Sequence, residues 1–165
     1  MIRQRLALFA FLSAGLMSAQ NRLSAETPQH RSAVVSADLL RHPINEKARR
    51  MLRSALETIN SGDHETAIQQ LRDVLRRYPE SAAYVHSLLG IEYFRTNRFS
   101  AAVESFVQAV ALLPHDAVNR YNLGLSLLCN GDVERGEQEL RRAVELDPNN
   151  PQVRALWEAL EKLTR

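Results

Sequence analysis

The sequence contains one cysteine, Cys129, among its 165 residues, so it cannot form an intramolecular disulfide and is not a disulfide-stabilised scaffold. Glycine and proline are also scarce, with six of each, which excludes collagen-like repetition. The hydrophobic fraction of 45% and the charged fraction of 24% are those of an ordinary globular protein and argue against general disorder. The length favours a single domain.

Neither sign of charge dominates, because 21 basic residues stand against 19 acidic ones. The small excess of positive charge comes from the amino terminus, where Arg3, Arg5 and Arg22 occur without any acid in the first 25 residues. Without these three arginines, 18 basic and 19 acidic residues leave a net charge of −1. The main part of the chain is therefore not basic, and we expect no nucleic-acid partner.

Residues 1–25 have the pattern of a secretory signal peptide. A short basic head, MIRQR, precedes twelve mostly apolar residues from Leu6 to Met17 and then a stretch containing small residues. Twelve helical residues extend about 18 Å, too little for the ~30 Å hydrocarbon core, so a cleaved signal is expected rather than a stable transmembrane span. Cleavage near residue 19 and near residue 25 both fit, and a mitochondrial presequence is the alternative. We therefore expect an exported protein, periplasmic or extracellular.

Residues 26–47 are predicted to form a linker. They include Pro28 and Pro43 and show little helical periodicity. The stretch from Val34 to Ile44 nevertheless carries aliphatic side chains, each of which contributes about 1.5 to 3 kcal/mol when fully buried. Part of this stretch is expected to dock on the rest of the chain.

The remaining chain is built from an internal repeat. Pro79, Pro114 and Pro148 are spaced by 35 and 34 residues, and Gly90 and Gly124 are 34 residues apart. A weaker copy, SGDHETAIQQLRDVLRRYP, precedes these and matches the next at an offset of 35, which indicates one inserted residue near Ala82. The predicted repeats are 48–81, 83–116 and 117–150.

The second copy resembles the tetratricopeptide repeat. The residues that carry the resemblance are Leu89, Gly90, Tyr93, Ala102, Phe106, Ala109 and Pro114. The first copy departs from the pattern with Ser54 and Ala55 in place of Leu-Gly, and the third with Gly136 where the family favours alanine, at a cost of about 1 kcal/mol in helix propensity. The resemblance implies two helices per repeat and a non-enzymatic role in protein interactions.

The hydrophobic pattern supports the same fold. Apolar residues recur every three or four positions in each copy, as expected for a pair of amphipathic helices, and a proline follows each second helix. Residues 151–165 have one apolar side and are suited to cover the last pair. The prediction is an all-α, right-handed α-solenoid of three helix-turn-helix repeats plus a C-terminal capping helix, with seven helices from about residue 46.

No catalytic residue, metal site or cofactor is predicted. The five histidines lack metal-ligand spacing, and no phosphate-binding loop or nucleophile motif occurs. His64 and His115 are interpreted as solvated loop residues or caps, and His86 as partly packed. Cys129 is either a small buried residue or the site of a disulfide between chains.

The resemblance also assigns a peptide-binding groove, because the first helix of each tetratricopeptide repeat lines the concave side. The family's groove places, counted from the start of each repeat, are mostly aliphatic or aromatic here, unlike the lysine and asparagine places of members that clamp a carboxylate. The predicted groove residues are Arg49, Leu52, Leu56, Ile59, Tyr84, Ile91, Phe94, Arg95, Val118, Tyr121, Leu125 and Leu128.

Such a groove predicts a protein or peptide partner that supplies an apolar or amphipathic segment, with Arg49 and Arg95 pairing acids at the rim. The alternative is a structural or self-associating subunit of an envelope complex, in which residues 34–44 of the same chain occupy the groove. The sequence leaves formation of a homo-oligomer open.

Overall fold

The computed structural model describes residues 44–164. The predicted signal peptide, and all of the predicted linker before Ile44, lie outside the described residues. Within them the chain forms seven α-helices and no strand. The helices are α1 Glu46–Ser61, α2 His64–Arg77, α3 Ala82–Arg95, α4 Phe99–Leu112, α5 Ala117–Cys129, α6 Val133–Leu146 and α7 Pro151–Thr164, with a 3₁₀ turn at Pro79–Ser81.

Three of the seven helices, α2, α5 and α6, begin at a capping aspartate. The side chains of Asp63, Asp116 and Asp132 accept hydrogen bonds from backbone N–H groups three residues further on, at 3.1, 2.8 and 3.3 Å. Each bond satisfies a donor that has no partner inside the helix and stabilises the helix by about 1 kcal/mol. These caps fix the start of α2, α5 and α6.

The turn inside each pair uses one equivalent left-handed residue. Gly62, Asn97 and Gly131 have φ angles of 84°, 58° and 91°. Only glycine adopts this conformation without strain, and asparagine is one of the few side chains that tolerates it. The sequence offset of 35 and then 34 between these residues reflects α3, which begins at Ala82 and is one residue longer than α5.

The pairs α1 with α2, α3 with α4, and α5 with α6 stack in chain order, and α7 packs on α6. The second helix of each pair buries the same three places, spaced by four and three residues. These are Ala67, Leu71 and Val74 in α2, Ala102, Phe106 and Ala109 in α4, and Gly136, Leu140 and Ala143 in α6. The predicted all-α repeat solenoid is confirmed.

Glycines set the close approach within the third pair. A Cβ atom added to Gly136 would lie 2.9 Å from the Leu128 side chain and 3.0 Å from the Gly124 backbone oxygen. Helix propensity alone would favour alanine over glycine at position 136. The backbone of α5 leaves no room for an alanine side chain, so glycine is the residue that fits there.

The capping helix buries Val153, Leu156 and Leu160. The guanidinium of Arg141 on α6 also lies 5.6 Å from the centre of the Trp157 ring, a cation–π contact between the two helices. No helix between residues 44 and 164 combines the length and the apolar character needed to cross a membrane.

Candidate functional site

The candidate groove is built on the first helices of the three pairs, α1, α3 and α5, of which α3 and α5 contact each other across the repeat boundary. Neither α3 nor α5 has an acidic residue in its first turn. Their partner helices α4 and α6 cover one side of them. The side chains on the other side form the candidate binding surface.

The twelve predicted groove residues fall into three groups by exposure. Arg49 and Arg95 are exposed. Six are partly exposed and can offer apolar surface to a partner, namely Leu56, Tyr84, Ile91, Phe94, Val118 and Tyr121. Four are buried, namely Leu52, Ile59, Leu125 and Leu128.

The four buried residues contribute to the interior of the repeats more than to a binding surface. Leu128 is an example, because its side chain fills the space against Gly136 on α6. A helix of an α-solenoid packs on neighbours on several sides, so an apolar residue beside the concave face is often covered by the next turn. The accessible part of the groove is therefore the six partly exposed residues together with the two arginines.

Half of the six partly exposed groove residues are aromatic. Burial raises the pKa of both Tyr84 and Tyr121, because the charged phenolate is less well solvated there than in water. The Phe94 ring packs edge-on against Phe99, with ring centres 5.4 Å apart, which fixes its orientation. Three aromatic residues on two adjacent helices thus present a partly desolvated apolar surface.

Both groove arginines are paired within their own helices. Arg49 Nη1 donates to Glu46 Oε2 at 3.2 Å, and Arg95 Nη1 donates to Glu92 Oε1 at 2.9 Å. In each pair the acid lies three residues before the arginine, so both charges are compensated by the chain itself.

A buried carboxylate beside the groove was not anticipated from the sequence. The Glu92 side chain has no solvent exposure, and its Oε2 lies 2.7 Å from Nδ1 of His64, the first residue of α2. The interpretation of His64 as a solvated loop residue or a cap is therefore wrong, because its ring bridges two repeats. No local spacing could reveal this pair, since 28 residues separate its members.

His86 and His115 agree with their sequence interpretations. His86 is partly buried, and desolvation lowers its pKa, as expected for an imidazole packed among neighbours. His115 is exposed in the turn before α5. Among the residues that the structure describes, no group of three or more histidine, cysteine, aspartate or glutamate side chains could hold a metal ion.

Cys129 ends α5 and is half-buried, and burial raises the pKa of its thiol to about 11. Since the thiolate is the reactive form, this favours the interpretation as a small packed residue over a disulfide between chains.

We expect Cys129 of the folded protein to react with iodoacetamide about 100-fold more slowly near neutral pH than the same thiol in an unfolded chain. The thiol pKa is near 9 in the unfolded chain and about 11 in the fold, and this difference lowers the thiolate fraction about 100-fold. Folding holds the proton more tightly, so this group stabilises the fold below pH 9 and the stabilisation fades as the pH rises from 9 towards 11. Mass-spectrometric labelling rates in buffer and in urea test this, and equal rates would contradict it.

Comparison with known proteins supports the fold assignment. The family model described as tetratricopeptide repeat matches residues 87–151. Among solved structures, MamA from Desulfovibrio magneticus RS-1 superimposes with a TM-score of 0.63 at 23% identity, over 67% of this chain and 62% of that one. This chain thus spans less than two thirds of the length of that MamA structure.

Two peptide complexes have the same fold. The first tetratricopeptide repeat domain of Spaghetti (RPAP3), bound to the HSP90 peptide SRMEEVD, matches with a TM-score of 0.68 at 20% identity, over 74% of this chain and 97% of that one. The Yersinia enterocolitica type III secretion chaperone SycD, in complex with a peptide of the translocator YopD, matches with a TM-score of 0.67 at 17% identity, over 73% of this chain and 97% of that one. Repeat spacing, helix order and these matches together show the all-α repeat solenoid fold, with a tetratricopeptide repeat match over residues 87–151.

Proposed function

We propose that this protein is an exported, non-enzymatic interaction module that binds an apolar or amphipathic peptide segment in the groove formed by α3 and α5. The observation that carries the proposal is the row of partly exposed apolar side chains on these helices, which includes Tyr84, Ile91, Phe94, Val118 and Tyr121. Exposed apolar surface of this kind is costly in water unless a partner covers it.

The chemistry of the groove favours packing over clamping. Its accessible side chains are mostly aromatic or aliphatic, and its arginines already hold acids of their own helices. Aromatic residues give large contact areas at a small cost in conformational entropy. The two solved peptide complexes of the same fold support a peptide as the kind of partner.

Selection from a random peptide library displayed on phage tests the proposal, using the chain without its predicted signal peptide. We expect enrichment of sequences with several apolar residues. Phe94→Glu and Tyr121→Glu should each weaken binding of a selected peptide by about 30-fold or more, because each places a charge on the apolar surface. Fluorescence anisotropy with the labelled peptide measures the affinity.

Leu112→Glu is the matched control. Leu112 is 50% exposed at the end of α4, outside the groove, so the same change of charge should leave binding and stability unaffected. Circular dichroism must show that the groove variants retain their helices. The proposal is contradicted if no peptide is enriched, or if the folded groove variants bind as well as the parent.

A further inference from the structure

The two groove ion pairs differ in how firmly the acid holds its arginine. In the pair at the start of α1, Glu46 and Arg49 are both well exposed, with 65% and 59% of their side-chain surface accessible. Such a pair is weak, and water or another acid can replace Glu46 as the partner of Arg49. In the pair on α3, Arg95 is 47% exposed but Glu92 is completely buried.

A buried carboxylate must keep its partners, because losing one of them leaves an uncompensated charge away from water. Both Glu92 oxygens are occupied, Oε1 by Arg95 and Oε2 by His64. Arg95 is therefore held by Glu92, although its guanidinium reaches the surface.

Two further arginines, Arg98 and Arg72, lie beside this pair. Arg98, in the turn after α3, pairs with Glu65 on α2. Both Arg98 and Arg72 lie over the ring of Tyr93, at 5.5 and 5.8 Å from its centre, on the side where α2 packs. On α3 the groove thus presents one arginine, Arg95, whose charge is compensated by the buried carboxylate of Glu92.

We propose that Glu92 determines the specificity of the groove by cancelling the charge of Arg95, so that α3 accepts an uncharged apolar segment and discriminates against acidic ones. This inference rests on the proposed function. Glu92 is a positioning residue, since it is buried and acts on the partner through Arg95. A carboxylate on the partner would have to compete with Glu92 for the guanidinium.

Charge-altering variants should change the composition of the peptides selected from the same phage library. Glu92→Gln retains the size of the side chain but releases the Arg95 charge, so acidic residues should be enriched about two- to fivefold over the parent selection. Arg95→Gln leaves the Glu92 charge without its arginine, so lysine and arginine should be enriched to a similar extent. Either variant provides a test if the other fails to fold.

Glu104→Gln is the matched control, because it changes the net charge equally at an exposed position on α4, away from the groove. The double variant Glu92→Gln/Arg95→Gln should return the selection to uncharged sequences. If the parent selects apolar peptides and the folded single variants select the same charge composition, the role of Glu92 is wrong while the proposed function stands. If the parent selects no peptide, both are wrong.

Discussion

Ending the chain at Asn150, and so removing α7, is expected to destabilise the protein by an amount comparable to its whole folding free energy. The helix buries Val153, Leu156 and Leu160 against the third pair. At about 1.5 to 3 kcal/mol for each side chain, their loss costs about 4.5 to 9 kcal/mol, and single domains are stable by only about 5 to 15 kcal/mol. We expect broad or incomplete urea unfolding, followed by circular dichroism, and a tendency to aggregate.

The control for this truncation is the full chain carrying Arg154→Ala and Glu158→Ala. These residues form an exposed ion pair on the outer side of α7 and should contribute less than about 1 kcal/mol. A truncated chain that unfolds at the same urea concentration as the parent would show that α7 is not a cap.

The number and type of helices could be predicted from the sequence because apolar residues recur every three or four positions in each repeat, and turn residues separate the helices of each pair. The repeat offsets also located the turns, where Gly62, Asn97 and Gly131 share a left-handed backbone. These features depend on residues close together in the chain or related by the repeat. Local chemistry therefore determined them.

Features that depend on contacts between repeats could not be predicted in the same way. The His64–Glu92 pair joins positions from two different repeats, and neither residue fits a motif. Leu52, Ile59, Leu125 and Leu128 are buried because neighbouring helices approach them closely. The positions of groove residues within a repeat carry no information about that approach. Gly136 is the clearest case, because glycine is favoured there only by the close approach of the backbone of the facing helix, α5.

Gly90→Ala is expected to destabilise the protein by about 2 to 4 kcal/mol, although alanine is the better helix former by about 1 kcal/mol. A Cβ atom at position 90 would lie 2.7 to 2.8 Å from three atoms of the Phe106 ring, which is buried and has no room to retreat. Thermal and urea unfolding would measure the change.

The first repeat supplies the compensating change for this variant. Ala55 and Leu71 occupy the places of Gly90 and Phe106, at the repeat offset of 35, and both are fully buried there. The double variant Gly90→Ala/Phe106→Leu therefore copies a pair that the chain already uses, and it should be more stable than Gly90→Ala alone, because the smaller side chain removes the overlap. Phe106→Leu alone, which leaves a cavity over Gly90, should cost more in the parent than in the Gly90→Ala background. Additive effects of the two substitutions on the free energy of unfolding would show that the glycine does not act through the phenylalanine ring.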